Sequence, residues 1–316
     1  MSSRSQRHIA LRIFNILLFI AAYAYLTYVL VTFDHYDELF SHFCCAGVYE
    51  WSCLFACFAL FPANIYLEAW KWRYLLKDIE PISMTESQKQ VYLGFVGAFL
   101  TPERLGDYPA RVTRISDRAK WLPAITIGFA GSMALSTVNI CCGVLALLFG
   151  GAELPGVSTR AILLTAVGFI AFFVLLLFLL PAIARWLESR RQWGKTMQTF
   201  ISSVRSFPPM RFPALVGMSF CRYIVYAVQL LLVLLFCGVV LPPATYLVVL
   251  PLHYLFVTLT PTVPAADAAV RGGVGALIFG FFTSNTAGVA LAVILLWLIN
   301  SIFPMIVGTW VGKKAS

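Results

Sequence analysis

Thr101-Pro102-Glu103-Arg104-Leu105-Gly106-Asp107-Tyr108-Pro109-Ala110-Arg111 ends a short apolar run. About half a chain later it is echoed by Thr260-Pro261-Thr262-Val263-Pro264-Ala265-Ala266-Asp267-Ala268-Ala269-Val270-Arg271. Both stretches open on Thr-Pro. Asp follows the first proline by five residues and the second by six, and Arg follows each Asp by four. Charged residues in two matching places inside apolar sequence ask for a common explanation.

The surrounding sequence supplies the solvent. Of 316 residues, 60% are hydrophobic and 12% charged, and the mean hydropathy is +0.84. Apolar runs of membrane-spanning length recur throughout, so lipid surrounds the chain and no stretch is left for a soluble catalytic domain. Backbone groups in lipid must be satisfied internally, and runs near 20 residues without alternation select helices over a barrel. The net charge of +9 lies in short loops. It therefore reads as positive-inside bias and attraction to anionic lipid, not nucleic-acid binding. The eight cysteines have no CxxC spacing and mostly sit within apolar runs, which argues against a disulfide framework or zinc site. His35, His42, Cys44 and Cys45 share one loop, but nothing orders them as ligands. No metal and no cofactor is expected.

Six full spans are read at about 9–31, 47–70, 122–149, 161–180, 214–240 and 287–311. Two apolar segments are too short to cross, because ten residues of helix (91–100) rise about 15 Å, half the hydrocarbon core. They read as re-entrant hairpins over 88–118 and 244–283. The first span is long, Tyr-rich and without a cleavage site, so it reads as a retained helix. Within 185–212, Trp193, Met197, Phe200, Ile201 and Val204 form one apolar face among bases, as in a helix lying on the membrane. Glu68, Lys71 and Arg73 sit in an aromatic and basic stretch that reads as interfacial. With both termini cytoplasmic, every Lys and Arg except Arg160, Arg222 and Arg271 falls on or beside the cytoplasmic side.

This layout gives two halves of one membrane domain, 1–156 and 157–316. Each runs span, span, hairpin, span, and three crossings per half give them opposite orientation. The expected fold is an all-α polytopic inverted repeat whose two oppositely oriented hairpins meet near the midplane, where transporters place substrate sites.

Thr-Pro reads as a helix start, with Thr101 or Thr260 as N-cap and Pro102 or Pro261 at the first helical position. A half-helix opening there aims a positive dipole end at an anion. Gly106, Pro109 and Pro264 keep the segments irregular. Asp107/Arg111 and Asp267/Arg271, each at i, i+4, share a helix face. A mid-membrane charge costs roughly 2.5–3.5 kcal/mol on the insertion scale, so pairing or a wet cavity is required. Structural ion pairs tying the hairpins down account for the same residues. The functional expectation is that Arg111 and Arg271 hold a phosphate-bearing headgroup while Asp107 and Asp267 orient them or carry a coupling proton. Glu103 and Arg104 add charge at the first tip. Arg222 either faces the same cavity or snorkels to the interface. His253 reads as a core histidine bonded to backbone.

Tyr92-Leu93-Gly94-Phe95-Val96-Gly97 leading into Thr101-Pro102-Glu103-Arg104-Leu105-Gly106-Asp107-Tyr108 resembles the first signature of the lysylphosphatidylglycerol synthase transmembrane-region family. Pro261-Thr262-Val263-Pro264, Arg271, Trp297-Leu298-Ile299-Asn300, Pro304 and Gly308 resemble its second. The family often has Glu where Asp107 stands, and a Gly-Gly pair where Ala265-Ala266-Asp267 stands. The resemblance implies a flippase-like protein that moves lipid between leaflets of a bacterial cytoplasmic (inner) membrane, with a phospholipid or polyprenyl-phosphate lipid as partner. The family's fused aminoacyl-transferase chemistry is not carried over. No nucleotide loop, DxD pair or nucleophile–base arrangement is seen, so the expectation is a transporter, not an enzyme. A lipid-linked transferase and an ion-coupled solute transporter are the alternatives. A coupling ion and an oligomer are compatible with the sequence.

Overall fold

The computed structural model describes residues 36–101, 104–150, 209–262 and 266–313, with isolated positions at 27, 28, 31, 164, 167 and 168. The expected spans 9–31 and 161–180 and the surface helix within 185–212 fall almost entirely outside these residues, as do Pro102, Glu103 and Pro264.

The described residues form helices and no strand. A short helix α1 (Tyr36–Cys44) precedes α2 (Val48–Leu76), 29 residues long. Helix α3 (Met84–Leu100) starts where the Ser83 side chain accepts the Glu86 N–H at 3.2 Å, an N-cap that replaces a missing intrahelical acceptor. The six-residue α4 (Asp107–Val112) folds back on α3, and α5 (Trp121–Gly150) follows. The later order is similar: α6 (Phe212–Phe236), α7 (Pro243–Leu259), α8 (Asp267–Phe279), then α9 (Thr286–Trp297). A π-helical turn (Leu298–Ile302) joins α9 to α10 (Phe303–Lys313). Both helices that end at a Thr-Pro are 17 residues long.

Among the described residues, four helical stretches are long and apolar enough to cross a membrane: Val48–Leu76, Arg118–Gly150, Phe212–Phe236 and Thr286–Lys313. This is an integral membrane protein. Its outward faces are apolar as well, with Trp51, Phe55, Phe58, Tyr66 and Trp70 of α2 all exposed, as expected where lipid is the solvent.

Tight backbone approach closes the first helix pair. A Cβ on Gly97 would lie 2.2 Å from the Gly106 carbonyl oxygen, and one on Gly106 would lie 2.4 Å from that of Gly97. Only glycine permits this contact. Elsewhere α2 meets α6, α5 meets α7, and α10 meets α3. Ser87 Oγ donates to the Ala69 carbonyl at 2.6 Å and Trp72 Nε1 to Gln90 Oε1 at 2.7 Å, fastening α3 to α2 by paired buried polar groups.

The Thr-Pro stretches end helices and do not start them. Thr101 and Thr260 are extended (φ −130°, ψ 143° and φ −92°, ψ 112°) at the C-terminal ends of α3 and α7, and the next helices open on Asp107 and Asp267. Proline clashes with an α-helical conformation in the residue before it, so the threonine terminates its helix. Thr101 instead pins the turn. Its Oγ1 donates to the Gly97 carbonyl at 2.9 Å and accepts the Gly106 N–H at 2.7 Å. The positive helix ends that the sequence offered to a ligand each carry an acid of their own in the first turn.

Candidate functional site

The site is built from the inner face of α2. Asn64, Glu68, Lys71 and Leu75 recur at helical spacing and are buried, while Tyr66, Trp70 and Arg73 lie on the exposed side. Glu68 is 2% exposed and Lys71 3%. The interfacial reading of these two residues is therefore wrong. The Trp70-Lys71-Trp72-Arg73 string winds around a helix, so its members point to different surroundings. Arg73 alone stays outside, donating through Nε to the Ile82 carbonyl at 3.0 Å.

Glu68 is the hub. Its Oε1 accepts from Arg111 Nη2 at 2.9 Å, and its Oε2 pairs with Lys71 Nζ at 2.9 Å and with Arg222 Nη1. Arg111 also forks Asp107, with Nε to Oδ1 at 2.6 Å and Nη2 to Oδ2 at 3.0 Å. Arg222 donates through Nε to Asn64 Oδ1 at 2.7 Å and through Nη2 to the Tyr226 hydroxyl at 3.0 Å. It faces the interior and does not snorkel. A buried guanidinium needs such partners, because desolvation would otherwise expel it. The network continues through amides. Asn64 Nδ2 donates to Asn300 Oδ1 (2.8 Å), Asn300 Nδ2 to Gln229 Oε1 (3.1 Å), and Gln229 Nε2 to the Cys57 carbonyl (3.0 Å). Asn300 sits in the π-helical turn, a local widening common at functional positions.

The second motif is simpler. Arg271 Nε donates to Asp267 Oδ1 at 2.7 Å, and Trp297 Nε1 holds Asp267 Oδ2 at 2.8 Å. A small pocket between the two helix-ending turns is lined by Thr101 and Arg104 from one and Thr262 and Asp267 from the other. Arg104 adopts a left-handed φ of 56° and stacks its guanidinium 5.4 Å from the Phe95 ring centroid, so backbone strain and a cation–π contact coincide there.

A cavity of about 430 Å³ joins these groups. Lys71, Arg104, Arg111, Arg222 and Arg271 line it together with Glu68 and Asp107, and Asp267 pairs with Arg271 at its edge. Five cations thus face three carboxylates, an excess of positive charge in a low-dielectric interior. Arg111 is 2% exposed, yet its Nη1 has no hydrogen-bond partner. The terminal nitrogens of Arg271 make no hydrogen bond among the described residues. A buried donor such as Arg111 Nη1 is rare unless something else completes it, whereas the Arg271 side chain is 27% exposed.

The expected residues divide as follows. Asp107, Arg111, Arg104, Arg222 and Arg271 share the large cavity, and Thr101 and Asp267 line the small one. Thr260 lines neither and donates to its own helix at Phe256 O, 2.8 Å. Gly106 caps α4, Pro109 lies within it, and Pro261 ends the segment after α7. His253 lines the cavity, 3% exposed, with Nδ1 unpartnered; the expected bond to backbone is not made among the described residues. Asn64, Glu68, Lys71 and Asn300 were missed. For the first three the signal was present in α2 as polar residues on the face opposite the exposed aromatics; Asn300, in the π-helical turn, stood in the sequence only within the second family signature. Among the described residues no three His, Cys, Asp or Glu side chains gather as a metal site, and His42 donates to the Phe236 carbonyl at 3.0 Å.

No curated protein matches the chain significantly. The model of the lysylphosphatidylglycerol synthase transmembrane region matches residues 13–308, the stretch that holds both Thr-Pro motifs, the Glu68 hub and the cavity, and the chain belongs to that family.

Proposed function

We propose that this protein moves a lipid with an anionic, phosphate-bearing headgroup between leaflets. The headgroup passes through the cavity while the acyl chains stay in the bilayer. The observation that carries this reading is the unpartnered Nη1 of buried Arg111, a residue that lines a cavity with excess positive charge. A phosphate oxygen is the acceptor that guanidinium geometry favours. The pair of 17-residue helices turned by Thr-Pro supports two re-entrant hairpins within an inverted repeat of six full spans, entering from opposite faces. On this reading the chain is a transporter of an inner membrane with both termini cytoplasmic, and transport is downhill or coupled to an ion.

The test is purified protein in vesicles with fluorescent lipids of several headgroups. Anionic phospholipids should cross at least tenfold faster than in empty vesicles, and zwitterionic ones should lag. No acceleration for any lipid would overturn transport and favour a transferase acting on a lipid-linked substrate.

A further inference from the structure

Three buried cations meet at Glu68, and they are not equally served. Arg111 has a second acid, Asp107, which it forks through two nitrogens. Arg222 spends its other nitrogens on Asn64 and the Tyr226 hydroxyl. Lys71 has Glu68 Oε2 at 2.9 Å, an oxygen it shares with Arg222, and the Gly131 carbonyl of α5 at 3.4 Å. The hub therefore sets Lys71, Arg111 and Arg222 against Glu68 and Asp107, which leaves one positive charge in excess. The two guanidiniums do not deprotonate in proteins. Lysine is the one cation of the three whose charge can be removed by losing a proton.

The other groups around the cavity are worse placed to carry a proton. Both carboxylate oxygens of Glu68, Asp107 and Asp267 already accept from a side-chain donor. Glu86 of α3 is taken by Arg114. Tyr108 from α4, Tyr223 and Tyr226 from α6 and Tyr254 from α7 are phenols, neutral over the physiological range. His253 of α7 contacts no carboxylate among the described residues, and a proton on it would face Arg271. Arg104 and Arg271 are fixed in charge, and α5 adds no titratable group to the cavity wall. Resting on the anionic-headgroup reading, we infer that Lys71 is the site of a coupling proton. Loss of a proton from Lys71 Nζ balances the empty hub. Entry of an anion reverses this: the amine lone pair binds a proton from water, and the new positive charge answers the anion's negative one. Anion and proton then favour each other's binding reciprocally, so the two cross together as a symport.

The test titrates phosphatidylglycerol, whose phosphodiester keeps one negative charge throughout, into the full chain in detergent between about pH 6 and 9. A pH indicator in weakly buffered solution reads the protons taken up. Wild type should take up about one proton per lipid bound, and its affinity should fall by up to about tenfold per pH unit as pH rises. Lys71→Arg keeps the charge and cannot release it, so it should bind at every pH with no proton uptake. Lys71→Met leaves Arg111 and Arg222 matched by Glu68 and Asp107, which keeps the test open if the arginine does not fit. It should bind more weakly than wild type at about pH 6, by at least about tenfold, and take up no proton. In vesicles, an imposed pH difference should drive labelled phosphatidylglycerol towards the leaflet on the alkaline side, beyond the shift in protein-free vesicles, with wild type and not with Lys71→Arg. Binding without proton uptake, or wild-type uptake in both Lys71 variants, would overturn the proton site and leave the anion reading intact. Uptake lost in His253→Gln and kept in the Lys71 variants would overturn it in favour of His253. Wild type that binds no phosphatidylglycerol at any pH would overturn the anion reading on which the proton site rests.

Discussion

Glu68 of α2 accepts from Arg111 of α4 at 2.9 Å, and both side chains are 3% exposed. The partners are 43 residues apart, so the contact fixes the first Thr-Pro turn against a long helix. Glu68 also answers Lys71 and Arg222, which makes it the counter-ion of three buried cations. Removing a shared buried counter-ion strands charge and costs about 3–5 kcal/mol. Glu68→Gln should therefore lower the melting temperature of the purified protein sharply. Glu68→Gln combined with Lys71→Met should recover part of the loss, because one stranded cation is gone. Equal melting of wild type and Glu68→Gln would show that the hub does not stabilise the fold.

Gly94 makes room for the Asp107–Arg111 pair. A Cβ there would lie 2.1 Å from Asp107 Oδ1 and 2.8 Å from Arg111 Nε. Gly94→Ala should cost about 1–3 kcal/mol by overpacking, although alanine is the better helix former. Thermal unfolding in detergent checks this, and a neutral or stabilising change would contradict the packing.

Thr101 closes the first turn with two hydrogen bonds through one hydroxyl. Thr101→Val keeps the shape and loses both, at about 1–3 kcal/mol. Thr101→Ser keeps the hydroxyl and should stay within about 0.5 kcal/mol of wild type. If Val and Ser variants melt alike, the hydroxyl does not hold the turn.

Trp297 Nε1 fixes Asp267, which in turn holds Arg271. Trp297→Phe keeps an aromatic ring but loses the Nε1–H donor to Asp267, at about 1–3 kcal/mol of stability. It should slow lipid movement several-fold by freeing the carboxylate that orients the arginine. Full transport by Trp297→Phe would show that Asp267 needs no such support.

Much of the helical architecture was legible because proline and apolar length act locally. Pro102 and Pro261 marked both turns, although the direction of the signal was misread: a proline restrains the residue before it, and that ended α3 and α7. The Asp–Arg pairs were legible for the same local reason, since i, i+4 neighbours meet on any helix. The hub was not. Glu68 meets Arg111 and Arg222 across 43 and 154 residues, and no periodicity encodes which helices become neighbours. The partial clue was on α2, where Asn64, Glu68 and Lys71 share a face away from Tyr66 and Trp70. Reading the tryptophans and bases as one string hid that face. Arg222 could not be placed without Glu68, because an arginine near a helix end snorkels unless an interior acid claims it.

The most direct measurement is the rate at which vesicles containing Arg111→Ala or Arg111→Lys move labelled phosphatidylglycerol between leaflets, compared with wild type and with correct folding checked by melting. A loss of at least tenfold is expected for Arg111→Ala, and only partial recovery in Arg111→Lys, whose ammonium cannot reproduce the guanidinium fork. Wild-type rates in folded Arg111→Ala protein would contradict the claim that Arg111, with its unpartnered nitrogen, receives the headgroup.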